Sequence, residues 1–225
     1  MKVSSIFDSI SGEVNSYQGA GELSTFIRLH GCNLKCSWCD TKYAQDGPYF
    51  DTLSINEIMD RLNYSHVTIT GGEPLLQMTE VNILCLAILN ERRRNITIET
   101  NGSIVPKRII IEHPTNIRFV VDCKLNSSGM MDMIKFEKVF EKLRVVDTVK
   151  FVIENKNDFQ VALKIKEDFW SPNILGPKRV YSPVYNIMDP AELVEWVKEA
   201  EFEAMVSLQL HKIIWPQAGG RDNER

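Results

Sequence analysis

Short apolar runs rich in β-branched residues alternate along the chain with longer segments whose apolar residues recur at helical spacing, the pattern of parallel βαβ units. The runs predict strands at Thr25–Leu29, His66–Thr70, Asn95–Glu99, Ile117–Asp122, Thr148–Ile153, Arg179–Ser182 and Met205–Gln209. Two helix starts are legible between them. Ser54-Ile-Asn-Glu57 has the form of a capping box, and Asp189-Pro190 sets an N-cap residue before a proline at the first helical position. Cys85 lies in the longest apolar run, Ile83–Leu89, and reads as a buried helix residue, because a free cysteine packs like a small hydrophobe. Six or seven βα repeats fit a chain of 225 residues, whereas a closed eight-stranded barrel normally takes about 250. The expected fold is therefore α/β, a partial (β/α) barrel of about six parallel strands, with an open doubly wound sheet as the alternative. No linker, internal repeat or low-complexity tract divides it, so residues 1–225 are expected to form a single domain. The polar, glycine-bearing end Pro216–Arg225 is expected to be mobile.

In such architectures ligands bind outside the carboxyl ends of the strands. Gly31-Cys32 follows the first of these strands, Gly71-Gly-Glu-Pro74 the second, Thr100-Asn-Gly102 the third, Asp122-Cys-Lys124 the fourth and Ser182-Pro-Val184 the sixth. Five distinctive loops on one face imply one shared site. The charge balance narrows what it can bind: 26 Lys and Arg against 30 Asp and Glu leave a net charge of -4, unlike a protein held to nucleic acid by phosphate contacts. The longest apolar run is far short of the ~20 residues that span a bilayer, and the first residues lack the apolar core of a signal peptide. A soluble, cytoplasmic protein with no membrane and no direct nucleic-acid contact is expected.

The 44% hydrophobic content can build a core without disulfides, and three of the five cysteines, Cys32, Cys36 and Cys39, fall within eight residues. Thiols this close suit a reducing compartment and a metal or redox role. In the loop Cys32-Asn-Leu-Lys-Cys36-Ser-Trp-Cys39, three thiolates can hold three irons of a [4Fe-4S] cubane and leave the fourth open to a small chelating molecule. Structural zinc is the alternative, although it wants four ligands and no fourth stands at the usual spacing. Gly71-Gly72-Glu73-Pro74 alone reads as a turn; beside the cysteine loop, its backbone can hydrogen-bond an amino-acid head group. Lys124 can neutralise a carboxylate in a partly dry cleft. His66 and His113 carry no supporting pattern, and His30, which precedes the Gly-Cys loop, reads as spacing rather than chemistry.

The cysteine loop after a first strand resembles the radical S-adenosylmethionine enzymes. With Ser9-Ile-Ser-Gly-Glu13, Phe26-Ile-Arg-Leu-His-Gly-Cys32, Trp38-Cys-Asp-Thr41 and Leu208-Gln-Leu-His-Lys212, nearly the whole chain resembles the 7-carboxy-7-deazaguanine synthase family. That resemblance implies a magnesium-dependent homodimer that contracts the ring of 6-carboxy-5,6,7,8-tetrahydropterin with loss of ammonia, as a carbon–nitrogen lyase of queuosine and 7-deazapurine biosynthesis. It further implies a flavodoxin- or ferredoxin-type reductant. Glu13, Arg28 and His211 match catalytic positions, and Ile10, Ser11, Gly12 and Thr70 match further substrate contacts. Trp38, Cys39, Asp40, Gly72, Glu73, Glu99, Asn101, Asp122, Cys123, Lys124 and Ser182 match contacts to S-adenosyl-L-methionine; Cys32, Cys36 and Cys39 match the cluster ligands and Thr41 the Mg2+ ligand. Ser11 stands where glutamine is frequent in the family, and Asp122-Cys-Lys124 where Ser-Pro-Lys is usual. Two other readings share parts of the pattern: an activase for a glycyl-radical enzyme, and a noncatalytic metal-binding module.

Overall fold

Every β-rich run read as a strand contributes one to the sheet, and the parallel strands lie side by side in chain order. The computed structural model describes residues 1–12, 19–48, 50–91, 94–106, 116–169, 176–200 and 204–216. Its strands are β1 (Lys2–Ile10), β2 (Leu23–Leu29), β3 (Asp51–Thr52), β4 (His66–Gly71), β5 (Asn95–Thr100), β6 (Ile117–Cys123), β7 (Thr148–Ile153), β8 (Lys178–Pro183) and β9 (Met205–Val206). They form one nine-stranded sheet in the order β3-β1-β2-β4-β5-β6-β7-β8-β9. From β2 to β9 all neighbours pair in parallel; β1 pairs antiparallel with β2, and β3 with β1. Among the described residues the sheet stays open between β3 and β9, so the fold is a partial barrel with seven described parallel strands, the last only two residues long.

Its described α-helices are α1 (Ile55–Met59), α2 (Met78–Asn90), α3 (Phe136–Phe140), α4 (Lys156–Phe169), α5 (Pro190–Ala200) and α6 (Leu210–Ile214). Ser54 closes the capping box: its hydroxyl accepts the Glu57 N–H, and the Glu57 carboxylate accepts the Ser54 N–H at 2.7 Å. The helix it starts ends after five residues, because the next turn is pinned elsewhere: Thr25 Oγ1 accepts the N–H of Asn63 at 3.1 Å and of Tyr64 at 3.3 Å. Cys85 is a buried residue of α2. One apolar core packs α1 and α2 against β2, β4 and β5; another packs α4 and α5 against β7 and β8.

Two departures from the sequence reading have physical causes. β1 went unread because only Val3 and Ser9 of its nine residues are buried, which leaves no apolar alternation to detect. The strand expected over Met205–Gln209 stops at Val206, and Leu208 and Gln209 instead line the approach to α6. No helix of the described residues is long and apolar enough to cross a membrane.

Candidate active site

The carboxyl ends of the parallel strands open into one cavity of about 450 Å³. The cysteine loop forms part of its wall and is tied at both ends. Gly31 and Cys32 donate their N–H groups to the carbonyls of Ala44 and Gln45, and Ser37 donates its N–H to Ser128 and its hydroxyl to the Ser127 carbonyl. Leu34, 1% exposed, packs with Cys36 on Ile134; burying such a side chain contributes roughly 1.5–3 kcal/mol to holding the loop. All three thiols of the loop line the cavity. Burial pushes the thiols of Cys32 and Cys36 up from their ordinary value, so metal binding would have to displace their protons.

The next loop depends on glycine. Gly71 has φ +138°, and a Cβ on Gly72 would overlap the Gly31 carbonyl and press on Cys32 Cβ. Backbone thus meets backbone beside the cysteines, which a side chain would prevent. Glu73 does not face the cavity. It is fully buried, and its carboxylate accepts from Leu75 N at 2.9 Å, Thr100 Oγ1 at 2.8 Å and Asn101 N at 2.7 Å. It clamps the end of β4 to the end of β5. Burial raises its pKa despite those donors.

On β6 and β7 the two-residue period of a strand sorts the side chains. Asp122 and Lys124 point into the cavity, whereas Cys123 between them is fully buried in the apolar core behind the sheet. Asp122 sits opposite Lys150 in the β6–β7 register, and its two oxygens accept from Lys124 and Lys150, each at 2.8 Å. Burial opposes ionisation of Asp122, but the two ammonium groups outweigh it and hold its pKa at about 2. Two cations on one carboxylate leave a surplus positive charge facing the cavity. The Lys124 ammonium also lies 4.8 Å from the Trp38 ring centre.

The opposite wall joins β1, β2 and the chain after β9. Arg28 and Thr70 are register neighbours on β2 and β4 and both reach the cavity, with the Arg28 guanidinium over the Phe7 ring at 5.4 Å. Asp40 forms an ion pair of 2.6 Å with Lys212. Burial works against its ionisation, but Lys212, then Arg28 and His211, hold its pKa below the ordinary value. Burial lowers the pKa of His211; Asp40 opposes this, while Lys212, Arg28 and Lys150 add to it. The imidazole is therefore neutral near pH 7.

Ile10, Gly12, Thr41, Glu99, Asn101 and Ser182 also line the cavity. Of the residues expected there, Ser11 turns away: it is 3% exposed, and its backbone pairs with Gly21 and Glu22. Glu73 and Cys123 turn away for the reasons given above, and Glu13 lies outside the described residues. Lys150 and Lys212 went unread as site residues. The signal for Lys150 was present, since a lone lysine interrupts the apolar strand Thr148-Val-Lys-Phe-Val-Ile153; Lys212 had only its place next to His211.

The donors fit a cubane cluster with a chelating co-substrate. Three thiols share one cavity, yet among the described residues no three His, Cys, Asp or Glu gather closely enough to enclose a single metal ion; a cubane instead takes one thiolate on each of three irons. Trp38 Nε1 is buried without a partner in the cavity wall, a donor left for a ligand to satisfy.

The model of the radical SAM superfamily matches residues 26–149. A 7-carboxy-7-deazaguanine synthase of Clostridium acetobutylicum is 36% identical, over 95% of this chain and 96% of its own length. One from Koribacter versatilis is 30% identical, over 98% and 100%. Among solved structures, QueE from Escherichia coli aligns with a TM-score of 0.71 at 20% identity, covering 92% of this chain and 93% of that one. Streptococcus suis SuiB bound to S-adenosylmethionine aligns with a TM-score of 0.51 at 14% identity, over 80% of this chain and 45% of that one.

Proposed function

Because the chain belongs to the 7-carboxy-7-deazaguanine synthase family of radical S-adenosylmethionine enzymes, we propose that it converts 6-carboxy-5,6,7,8-tetrahydropterin to 7-carboxy-7-deazaguanine with loss of ammonia, as a carbon–nitrogen lyase of 7-deazapurine biosynthesis. The observation that carries this reading is the meeting of the cysteine loop, Gly72, Arg28 and His211 in one cavity. Family membership implies a [4Fe-4S] cluster and S-adenosylmethionine. Cys32, Cys36 and Cys39 are the residues that would hold the cluster, and the chemistry it supplies when bound is the one electron that cleaves S-adenosylmethionine and starts hydrogen abstraction from the pterin.

The chain's own residues bind, orient and shield. Gly72 lets its loop close on Gly31 and so presents backbone groups beside the cysteines to the methionyl end of the co-substrate, and the surplus charge of Lys124, Lys150 and Asp122 suits its carboxylate. Arg28 pairs with the anionic end of the pterin, and the neutral His211 offers it a hydrogen bond. Phe7, Phe26 and Val152 exclude water and competing hydrogen donors from the reacting carbon. Thr41 supplies one hydroxyl to Mg2+, which takes further oxygens from substrate and water. The neighbouring Asp40 is held by Lys212, and this leaves the substrate carboxylate to complete the site. A flavodoxin- or ferredoxin-type donor, a homodimer and a cytoplasmic location are supported by the family relationship.

Product mass spectrometry on anaerobically reconstituted protein, given S-adenosylmethionine, reductant and the pterin, tests the reading. The expected result is the deazaguanine acid with ammonia released, at a rate that rises with added Mg2+. Cleavage of S-adenosylmethionine with the pterin recovered intact would overturn it.

A further inference from the structure

One side of the cysteine loop touches a closed ring of polar side chains, of which only Asn101 reaches the cavity wall. Asn33 Nδ2 donates to Ser103 Oγ at 2.8 Å, Ser103 Oγ donates to Asn101 Oδ1 at 2.6 Å, and Asn101 Nδ2 donates back to Asn33 Oδ1 at 3.2 Å. The Ser103 backbone N–H adds a second donor to Asn101 Oδ1 at 3.0 Å. A backbone N–H can only donate, so the atom facing it must be the amide oxygen, and the orientation of the Asn101 amide is fixed. Its nitrogen is thereby aimed at Cys32 Sγ, 3.8 Å away, and the Leu34 N–H donates to the same sulfur at 3.4 Å. Asn101 is 7% exposed and its own backbone N–H is held by Glu73, so neither its position nor its side chain is free to drift.

From this geometry we infer that Asn101, locked by Ser103 and Asn33, is a positioning residue that sets the reduction potential of the cluster through an N–H donor to Cys32 Sγ. The inference rests on the reading of Cys32 as a cluster ligand. Reduction adds one electron and no proton to the cluster and its thiolates. A donor aimed at a thiolate sulfur stabilises the more negative state, so it raises the potential and eases the uptake of that electron from the external reductant. The ring supplies what one hydrogen bond lacks: each member is both donor and acceptor, and such closed chains reinforce one another and resist reorientation. Cys39 Sγ has a neighbour of its own, the Thr41 hydroxyl at 3.7 Å, so the Asn101 amide is assigned to Cys32.

The test is an EPR-monitored redox titration of reconstituted full-length protein without S-adenosylmethionine or pterin, with iron and sulfide content measured on each sample. Wild type, Asn101→Ala, Asn101→Asp and Ser103→Ala are compared. Asn101→Ala is expected to carry the wild-type iron content and a more negative midpoint, so that at the wild-type midpoint the ratio of reduced to oxidised cluster falls about tenfold, or 59 mV for a one-electron couple. Asn101→Asp should shift further in the same direction, because a carboxylate replaces the donor. Ser103→Ala should shift less, since the backbone N–H still holds Oδ1. Full clusters with an unchanged midpoint in both Asn101 variants would overturn the inference. Should Asn101→Ala load poorly, the midpoint of the isosteric Asn101→Asp decides by the same rule: a negative shift supports the inference and none refutes it. Absence of a cluster in wild type would instead sink the ligand reading itself, so the two failures are distinguishable.

Discussion

The two walls of the cavity are built by different means. On the side of β4, β5 and the cysteine loop, backbone packs on backbone at Gly72, Glu73 makes three hydrogen bonds without exposing an atom, and the Asn33–Ser103–Asn101 ring closes on itself. On the side of α6, a five-residue helix follows a two-residue strand. That wall is held to the rest by the Asp40–Lys212 ion pair, by Tyr185 Oη donating to the Lys212 carbonyl at 3.1 Å, and by Ser207 Oγ donating to the Gly12 carbonyl at 3.1 Å. Ile213 and Ile214 on α6 are each 53% exposed. Few buried apolar contacts and isolated polar ties mark a segment at the low end of local stability. The division suits the chemistry: a co-substrate cleaved against a cluster needs fixed geometry, while a substrate wall must admit the pterin and release product.

The strongest test of this contrast removes the cysteine loop's chemistry without touching the other wall. Alanine at Cys32, Cys36 or Cys39 should each abolish iron-dependent absorbance and cleavage of S-adenosylmethionine, whereas Cys85→Ala should keep both, since Cys85 is buried in α2 with its thiol pushed up to about 12. A full cluster in Cys36→Ala protein would break the comparison at its root.

A matched pair of glycines comes next. Gly72→Ala drives a methyl into the Gly31 carbonyl and Cys32, and should cost about 1–3 kcal/mol in stability with a raised KM for S-adenosylmethionine. At Gly12 the first atom a methyl meets is His211 Nδ1 at 3.8 Å, an ordinary contact. Thermal unfolding of Gly12→Ala should therefore match wild type, with any effect confined to the KM for the pterin. Equal destabilisation by both would show that the α6 wall is as tightly built as the other.

How much of this was legible in the sequence follows the same division. The cysteine spacing, the Gly71–Pro74 loop and the strands before them announce themselves because rigid backbone geometry demands particular residue types at fixed spacing. Glu73 and Cys123 were read into the site because they stand inside such motifs; a burial requirement and a strand's two-residue period turned them away from it. Lys212, Tyr185 and Ser207 left no trace because their partners, Asp40, the Lys212 carbonyl and Gly12, are remote in the chain or are backbone atoms that any residue supplies. β1 was missed because it is largely half-buried, so no periodic apolar signal distinguishes it from loop.

Single side chains sharpen the contrast further. Glu73→Gln replaces an acceptor oxygen with a donor among three donors, and should lose about 1–3 kcal/mol of stability with cofactor and substrate functions falling together. Lys212→Met breaks an ion pair whose Asp40 partner is 38% exposed, which limits its contribution to about 1 kcal/mol or less. Unfolding should scarcely register it, yet pterin turnover should fall while slow cleavage of S-adenosylmethionine without product continues. Arg28→Ala should separate the two activities in the same way. Parallel loss of both activities in either variant, with the cluster intact, would assign these residues to the cofactor wall.

The smallest expected effect concerns protons. His211 has a folded-state pKa below its ordinary 6.5, with burial as the leading cause and the cations Lys212, Arg28 and Lys150 adding to it against Asp40. A histidine whose pKa is depressed on folding binds fewer protons folded than unfolded, so its contribution to stability is complete above 6.5 and is lost as pH falls through the lower, folded value. Asp122 has the same sign further down: its contribution is complete above the ordinary carboxylate value of 3.8 and is lost toward about 2. In pH profiles of kcat/KM for the pterin, the neutral imidazole should give a plateau through neutrality and a decline on the acid side. His211→Gln should lower the plateau and remove that decline. The uncoupled cleavage of S-adenosylmethionine belongs to the other wall and should show no such limb in either protein. If the acid decline appears equally in both activities and survives His211→Gln, the titrating group lies on the cysteine side, and the functional separation of the two walls fails with it.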